Sequence, residues 1–205
     1  SLGYKGLDSI SLNYEDLDGN YTIASKAIND ASAMGMICVI AMGNNGDIPM
    51  SLISPADADS SVSVGALDPN GLDLSGFSSN GPNANGIMKP NLVAQGGAVY
   101  CINPNSDDKY YRTSGTSLAA PLIAGSFGLL KSVFKDTDSY SLKSNMYKSA
   151  DKYDMPDNRF GNGLPNVFEA ISNSGVAISP DNQINNGDFK RLVFYIFPDN
   201  QILDA

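Results

Sequence analysis

The chain has 205 residues, 42% of them apolar, enough for one substantial core or for part of a larger domain with an appendage. Its net charge of −9 comes without a cluster of Lys or Arg, so its field repels nucleic acid and anionic membrane surfaces. It contains no His, which removes imidazole from these residues both as general base and as metal ligand.

The sequence opens on Ser1-Leu2-Gly3-Tyr4 without Met, which suggests a start inside an element of a longer protein. No basic region with an apolar stretch and cleavage site follows, and no apolar run reaches the length of a bilayer span. Asp16, Asp18 and Asn20 have the alternate spacing of a calcium loop, but the Gly and terminal Glu of such a loop are missing. They read instead as a solvated turn that caps the next helix, and no metal site is expected from them.

Residues 20–34 place Ile23, Ala24, Ala27, Ile28 and Ala31 at helical spacing, with Asn20 or Thr22 as cap and Gly35 as stop. The continuously apolar run Met36–Met42 is too short for another helix and predicts a strand buried on both faces. Helix followed by buried strand points to a parallel α/β sheet. Next come a Pro-containing loop, short strands around Val62–Val64, Leu92–Ala94 and Val99–Ile102, and a turn at Asp68-Pro69-Asn70-Gly71. A helix rich in Ala and Gly is predicted from Thr116 to about Phe134, buried at the centre, with further helices over Ser141–Ser149 and Asn166–Ile171. After Ser174 the character changes, and residues 175–205, with the apolar run Leu192–Phe197, predict an extension or the start of a β domain. Cys38 and Cys101 each sit in an apolar run and are expected to be separate buried thiols.

The most informative segment is Ser114-Gly115-Thr116-Ser117-Leu118-Ala119-Ala120-Pro121. A Ser at a helix N-terminus lies beside unpaired backbone N–H groups, and the helix dipole favours negative charge there. Capping is the commonest task of such a Ser or Thr. Pro121, however, forfeits an intrahelical hydrogen bond and suits a first turn of special geometry. The second segment, Ala41-Met42-Gly43-Asn44-Asn45-Gly46, follows the predicted buried strand, at the edge where open α/β sheets place their ligands. By itself it is only a turn.

Taken together, in this order, the two segments and Ser1-Leu2-Gly3 resemble the subtilisin-like serine proteases, or subtilases. The resemblance continues through Ser54-Pro55-Ala56, Val64–Leu67, Phe77–Pro82, Lys89–Ala94 and Gly161–Asn166, and so covers residues 1–174. It implies the C-terminal part of a three-layer α/β fold with a mostly parallel sheet flanked by helices. It further implies that Ser117 is the nucleophile and that Asn44 donates to the oxyanion alongside the Ser117 backbone N–H. Ser1, Leu2 and Gly3 would pair with a peptide substrate as an added strand. Ala41, Met42, Gly43 and Thr116 would complete the substrate-binding wall, with Met42 standing where the family has a small residue. Ser54-Pro55 is expected to be cis.

In that family the triad runs Asp, His, Ser along the chain. The fragment is therefore expected to lack both partners of Ser117, to be inactive alone, and to pair with the N-terminal half of its domain. The parent is expected to be an exported peptidase acting on peptides or proteins, without a required cofactor, although calcium is common in the family.

Three other readings compete. A pseudoprotease of the same fold would serve in binding or scaffolding. A phosphate loop at Gly43–Gly46 fails because Asp47 and Pro49 follow instead of a helix. A Gly-x-Ser-x-Gly elbow fails because Ala119 stands in place of the second Gly.

Overall fold

The computed structural model describes residues 12–103, 105–106 and 109–172. All of these fall in the first of two units, Ser1–Gly175 and Val176–Ala205. Ser1, Leu2, Gly3 and the apolar run Leu192–Phe197 lie outside the described residues.

Strand β1 (Val39–Ala41), β2 (Val62–Leu67) and β3 (Leu92–Gln95) form a parallel sheet in that order, with Val39 opposite Val62 and Val64 opposite Leu92. Helix α1 (Ile23–Ala33) precedes β1, and the Thr22 side chain caps it by accepting from Ser25 N at 3.0 Å. All six residues of β2 are buried, as a strand with neighbours on both sides requires. Its Val62, Val64 and Ala66 join Leu92 and Ala94 of β3 in the main core. On the other face Leu67 packs with Leu74, Val93 and Phe160.

Helix α2 (Thr116–Val133) crosses all three strands. Ala119, Ile123, Phe127 and Leu130 recur at helical spacing and bury into the main core, while Pro121, Leu122, Ala124, Gly125 and Gly128 face outward. Helices α3 (Ser139–Lys148) and α4 (Val167–Ser172) supply Leu142, Met146 and Ala170 to the same core. Asp138 caps α3 by accepting from Ser141 N, and this bond holds its carboxyl below the usual carboxylate range. An antiparallel ribbon of β4 (Val99–Ile102) and β5 (Tyr110–Thr113) leads into α2.

Several expectations change. The strand predicted over Met36–Met42 shortens to β1, whose residues are half-buried because it pairs, among the described residues, only with β2. Helix α2 is central but not buried all round. By length and composition it is apolar enough to cross a membrane, yet its buried stripe belongs to the core. Strand β5 was not predicted: its Tyr-Tyr-Arg-Thr sequence carries no alternation, and pairing with β4 defines it. Cys38 and Cys101 are free thiols, half-buried, and burial raises the Cys38 pKa. Ser54-Pro55 is cis, as expected, together with Gly81-Pro82 and Lys89-Pro90.

One buried cation ties the strand starts together. Lys89 is fully buried, and its Nζ donates to Ala58 O at 2.7 Å, Ser61 Oγ at 2.9 Å and Ser61 O at 3.3 Å. Burial pulls its pKa down to about 8, with Asp59 and Asp57 acting against the shift.

Candidate active site

The end of β1 and the start of α2 meet at one place. Gly43 has φ +115°, a region that disfavours side chains, and a Cβ there would lie 2.9 Å from Ser79 Oγ and 3.0 Å from Ile53 Cγ1. Its N donates to Thr116 Oγ1 at 3.2 Å and its O accepts from Ser79 N at 3.0 Å. The turn that carries Asn44 is thus clamped between the 79 loop and the first residue of α2.

Asn44 is exposed but oriented. Its Oδ1 accepts from Thr116 N and from Thr116 Oγ1, each at 3.0 Å. With its oxygen fixed, the Nδ2 donor points the other way, and among the described residues it has no acceptor. Ser117, the second residue of α2, is exposed, and its backbone N–H likewise has no acceptor among the described residues. A Cβ built on Gly115 would stand 3.1 Å from Ser117 Oγ and 3.4 Å from Asn44 Nδ2. The hydroxyl and the carboxamide donor therefore flank one small space that Gly115 leaves empty. Two bonds hold the approach to α2 in place: Gly115 N to Gly96 O and Ala98 N to Ser114 Oγ, both 2.9 Å.

Pro121 cannot donate to the Ser117 carbonyl four residues back, so the turn behind the hydroxyl lacks one helix bond. A hydroxyl beside an unspent backbone N–H and an aligned carboxamide can attack a carbonyl carbon while both donors receive the negative charge on its oxygen.

The remaining predicted residues separate by place. Ala41 ends β1, directly before the turn. Met42 has 0% exposure and packs with Leu17, Leu52 and Ala56, while its N donates to Val64 O and its O accepts from Ile53 N. Its side chain is enclosed in that cluster, and its backbone runs between β1 and the Gly43 turn. Thr116 is buried and acts on Asn44 and Gly43. Sequence reasoning missed Gly115 as the residue that keeps the space open, although it stands inside the recognised motif. It also missed the role of Ser79, whose Oγ accepts from Asn45 N at 2.9 Å, although Ser79 stands inside the matched segment Phe77–Pro82.

Among the described residues no three His, Cys, Asp or Glu side chains gather closely enough to hold a metal ion. Asp18 Oδ1 accepts from Asn20 N and Tyr21 N, both at 2.7 Å, and Asp16 Oδ2 accepts from Asn13 N, so these oxygens serve local turns.

A family model described as the subtilase family matches residues 6–163, and with it the arrangement of Ser117 and Asn44 has its context. The chain belongs to the subtilase family. It is 33% identical over 131 residues to subtilisin DY of Bacillus licheniformis, covering 63% of this chain and 44% of that protein. It is 31% identical over 123 residues to the serine protease AprX of Bacillus subtilis, covering 51% of this chain and 28% of the relative. Among solved structures, the prenylagaramide maturation protease PagA superposes with a TM-score of 0.60 at 30% identity, over 72% of this chain and 54% of that one. The self-cleaved protease domain of PatA gives 0.61 at 26% identity, over 75% and 56%. The chain thus spans less than two thirds of each of these proteins.

Proposed function

We propose that this chain provides the nucleophile and the oxyanion-binding half of a serine endopeptidase. The observation that carries the reading is the shared space between Ser117 Oγ and Asn44 Nδ2 beside Gly115. Ser117 Oγ attacks the scissile carbonyl carbon, and the oxygen that becomes negative accepts from Asn44 Nδ2 and Ser117 N. The hydroxyl proton passes to a His, held by an Asp, that lies outside these 205 residues, since the chain has no His. That His returns the proton to the leaving amine, and water then hydrolyses the acyl-enzyme. The chemistry needs no cofactor.

The partner that completes the site is the N-terminal part of the same domain, packing on the outward face of α2 and along the edge of β1 that has no paired strand among the described residues. Residues 1–174 form the peptidase part in this reading, and residues 175–205 an extension. The substrate is a peptide or protein, with Ser1-Leu2-Gly3 and Ala41–Gly43 as the walls that receive it. The parent is exported. A fluorophosphonate probe tests the core of the proposal: it should label Ser117 in the full-length protein and leave the 205-residue chain unlabelled. Strong labelling of the isolated chain would mean that its base lies within it.

A further inference from the structure

The β4–β5 ribbon carries a face that the chemistry above does not use. Tyr100 stands opposite Arg112 and Ile102 opposite Tyr110, and residues two apart on a strand project to the same side. Those four side chains therefore form one surface, with Tyr100 65%, Ile102 74% and Tyr110 72% exposed. Val99 and Cys101, which alternate with them on β4, are half-buried on the other side. The Arg112 guanidinium lies 4.4 Å over the Tyr100 ring, and its N–H groups have no acceptor among the described residues. Tyr and Arg at the centre of an apolar patch are the side chains that carry most energy in protein interfaces.

The surface is also fixed with respect to the candidate active site. The bonds from Gly115 N to Gly96 O and from Ala98 N to Ser114 Oγ pin both ends of the ribbon where α2 begins. From Arg112 to Ser117 is five residues, a reach of at most about 18 Å for extended backbone. A polypeptide lying over Ser117 needs only a few more residues to cover the ribbon. Of these four side chains Arg112 is the charged one, so the matching group is a carboxylate.

We propose that Tyr100, Ile102, Tyr110 and Arg112 form a docking surface for an extended segment of the protein substrate that carries an apolar side chain beside an Asp or Glu. The proposal rests on the peptidase reading for its substrate and goes beyond it in placing recognition outside the bond-breaking site. It predicts a split between large and small substrates. In the full-length protein, Tyr100→Ser with Ile102→Ser, and separately Arg112→Glu, should raise KM for casein, an acidic and loosely folded protein, about tenfold with kcat unchanged. On a short chromogenic peptide that fills only the cleft, both variants should stay within about twofold of the parent.

Melting curves check that the variants fold. In a Ser117→Ala background, casein binding by fluorescence anisotropy should weaken about tenfold in both ribbon variants. Unchanged casein binding and KM, or equal losses on casein and the short peptide, would overturn the docking surface. So would finding Tyr100 and Tyr110 shielded from solvent in the full-length protein. If the full-length protein hydrolyses neither substrate, the peptidase reading fails, and the anisotropy measurement still decides the docking surface.

Discussion

Thr116 and Asn44 are joined twice, since both the backbone N and the Oγ1 of Thr116 donate to Asn44 Oδ1 at 3.0 Å. One amide oxygen takes both bonds, which turns the Nδ2 donor of Asn44 toward the space beside Ser117 Oγ. The same hydroxyl accepts from Gly43 N, so orienting the carboxamide and shaping the turn beneath it depend on one buried side chain. If the full-length protein is the proposed peptidase, Thr116→Val should lower its kcat about tenfold, with KM for a short peptide little changed. Stability should fall by about 1 kcal/mol, because Gly43 N loses its acceptor. Asn44→Ala, which removes the donor itself, should cost about 100- to 1,000-fold in kcat, a range taken from subtilisin. Steady-state kinetics and urea unfolding measure both, and an equal loss for the two variants would remove the positioning role from Thr116.

Gly115→Ala separates activity from folding. The backbone at Gly115 is extended, with φ 160°, so Ala is tolerated there, but its Cβ enters the space between Ser117 Oγ and Asn44 Nδ2. We expect a loss of turnover of at least about 100-fold with less than about 1 kcal/mol of lost stability. An active Gly115→Ala enzyme would show that a reacting carbonyl oxygen does not occupy that space.

Lys89 gives the protein an alkaline dependence. Its pKa in the folded state is about 8 against an ordinary 10.5, so between these values the unfolded chain binds the extra proton. The burial cost is fully present below pH 8, and stability rises as pH passes from about 8 toward 10, by at most roughly 3 kcal/mol. Burial raises the Tyr147 phenol above its ordinary 10.0, which favours unfolding at still higher pH. The expected curve therefore rises from pH 8 to about 10 and then bends over. Urea midpoints across this range should show the rise in the parent protein and lose it in Lys89→Met.

Arg159 and Asp47 link the loop after Asn44 to the loop before α4 through paired bonds, with Asn80 Nδ2 also donating to Asp47. These bonds hold the Asp47 carboxyl below its usual range, the Arg159 bond foremost. Its contribution is present above the ordinary carboxylate pKa and lost as pH falls through the depressed folded value. Because the Arg159 side chain is half exposed, Arg159→Ala should cost less than about 1 kcal/mol near neutral pH. The difference should vanish in acid, as thermal melts at pH 7 and pH 2 can compare.

Prepared alone, the 205-residue chain should self-associate. The outward face of α2 carries Leu122 and Ala124 beside Gly125 and Gly128, and β1 has one paired neighbour among the described residues. Sedimentation should find dimers or larger species, and a monodisperse monomer would count against an N-terminal partner on that face.

The fold class was legible because its signals are local. The spacing of Ile23, Ala27 and Ala31 marks α1, the run ending at Ala41 marks β1, and the small residues after Thr116 mark α2. The order of the Asn44 and Ser117 motifs was equally readable, since it needs no distances. What the one-dimensional pattern could not supply is burial, which depends on neighbours far along the chain. No local pattern shows that Leu17, Leu52 and Ala56 enclose Met42, or that Ala58 and Ser61 surround the Lys89 ammonium. The sequence by itself determined the family, the order of the two motifs and the sheet that holds them. Only the tertiary structure decided that Thr116 aims Asn44, and that Gly115 keeps open the space between it and Ser117, because contacts spanning more than seventy residues set both.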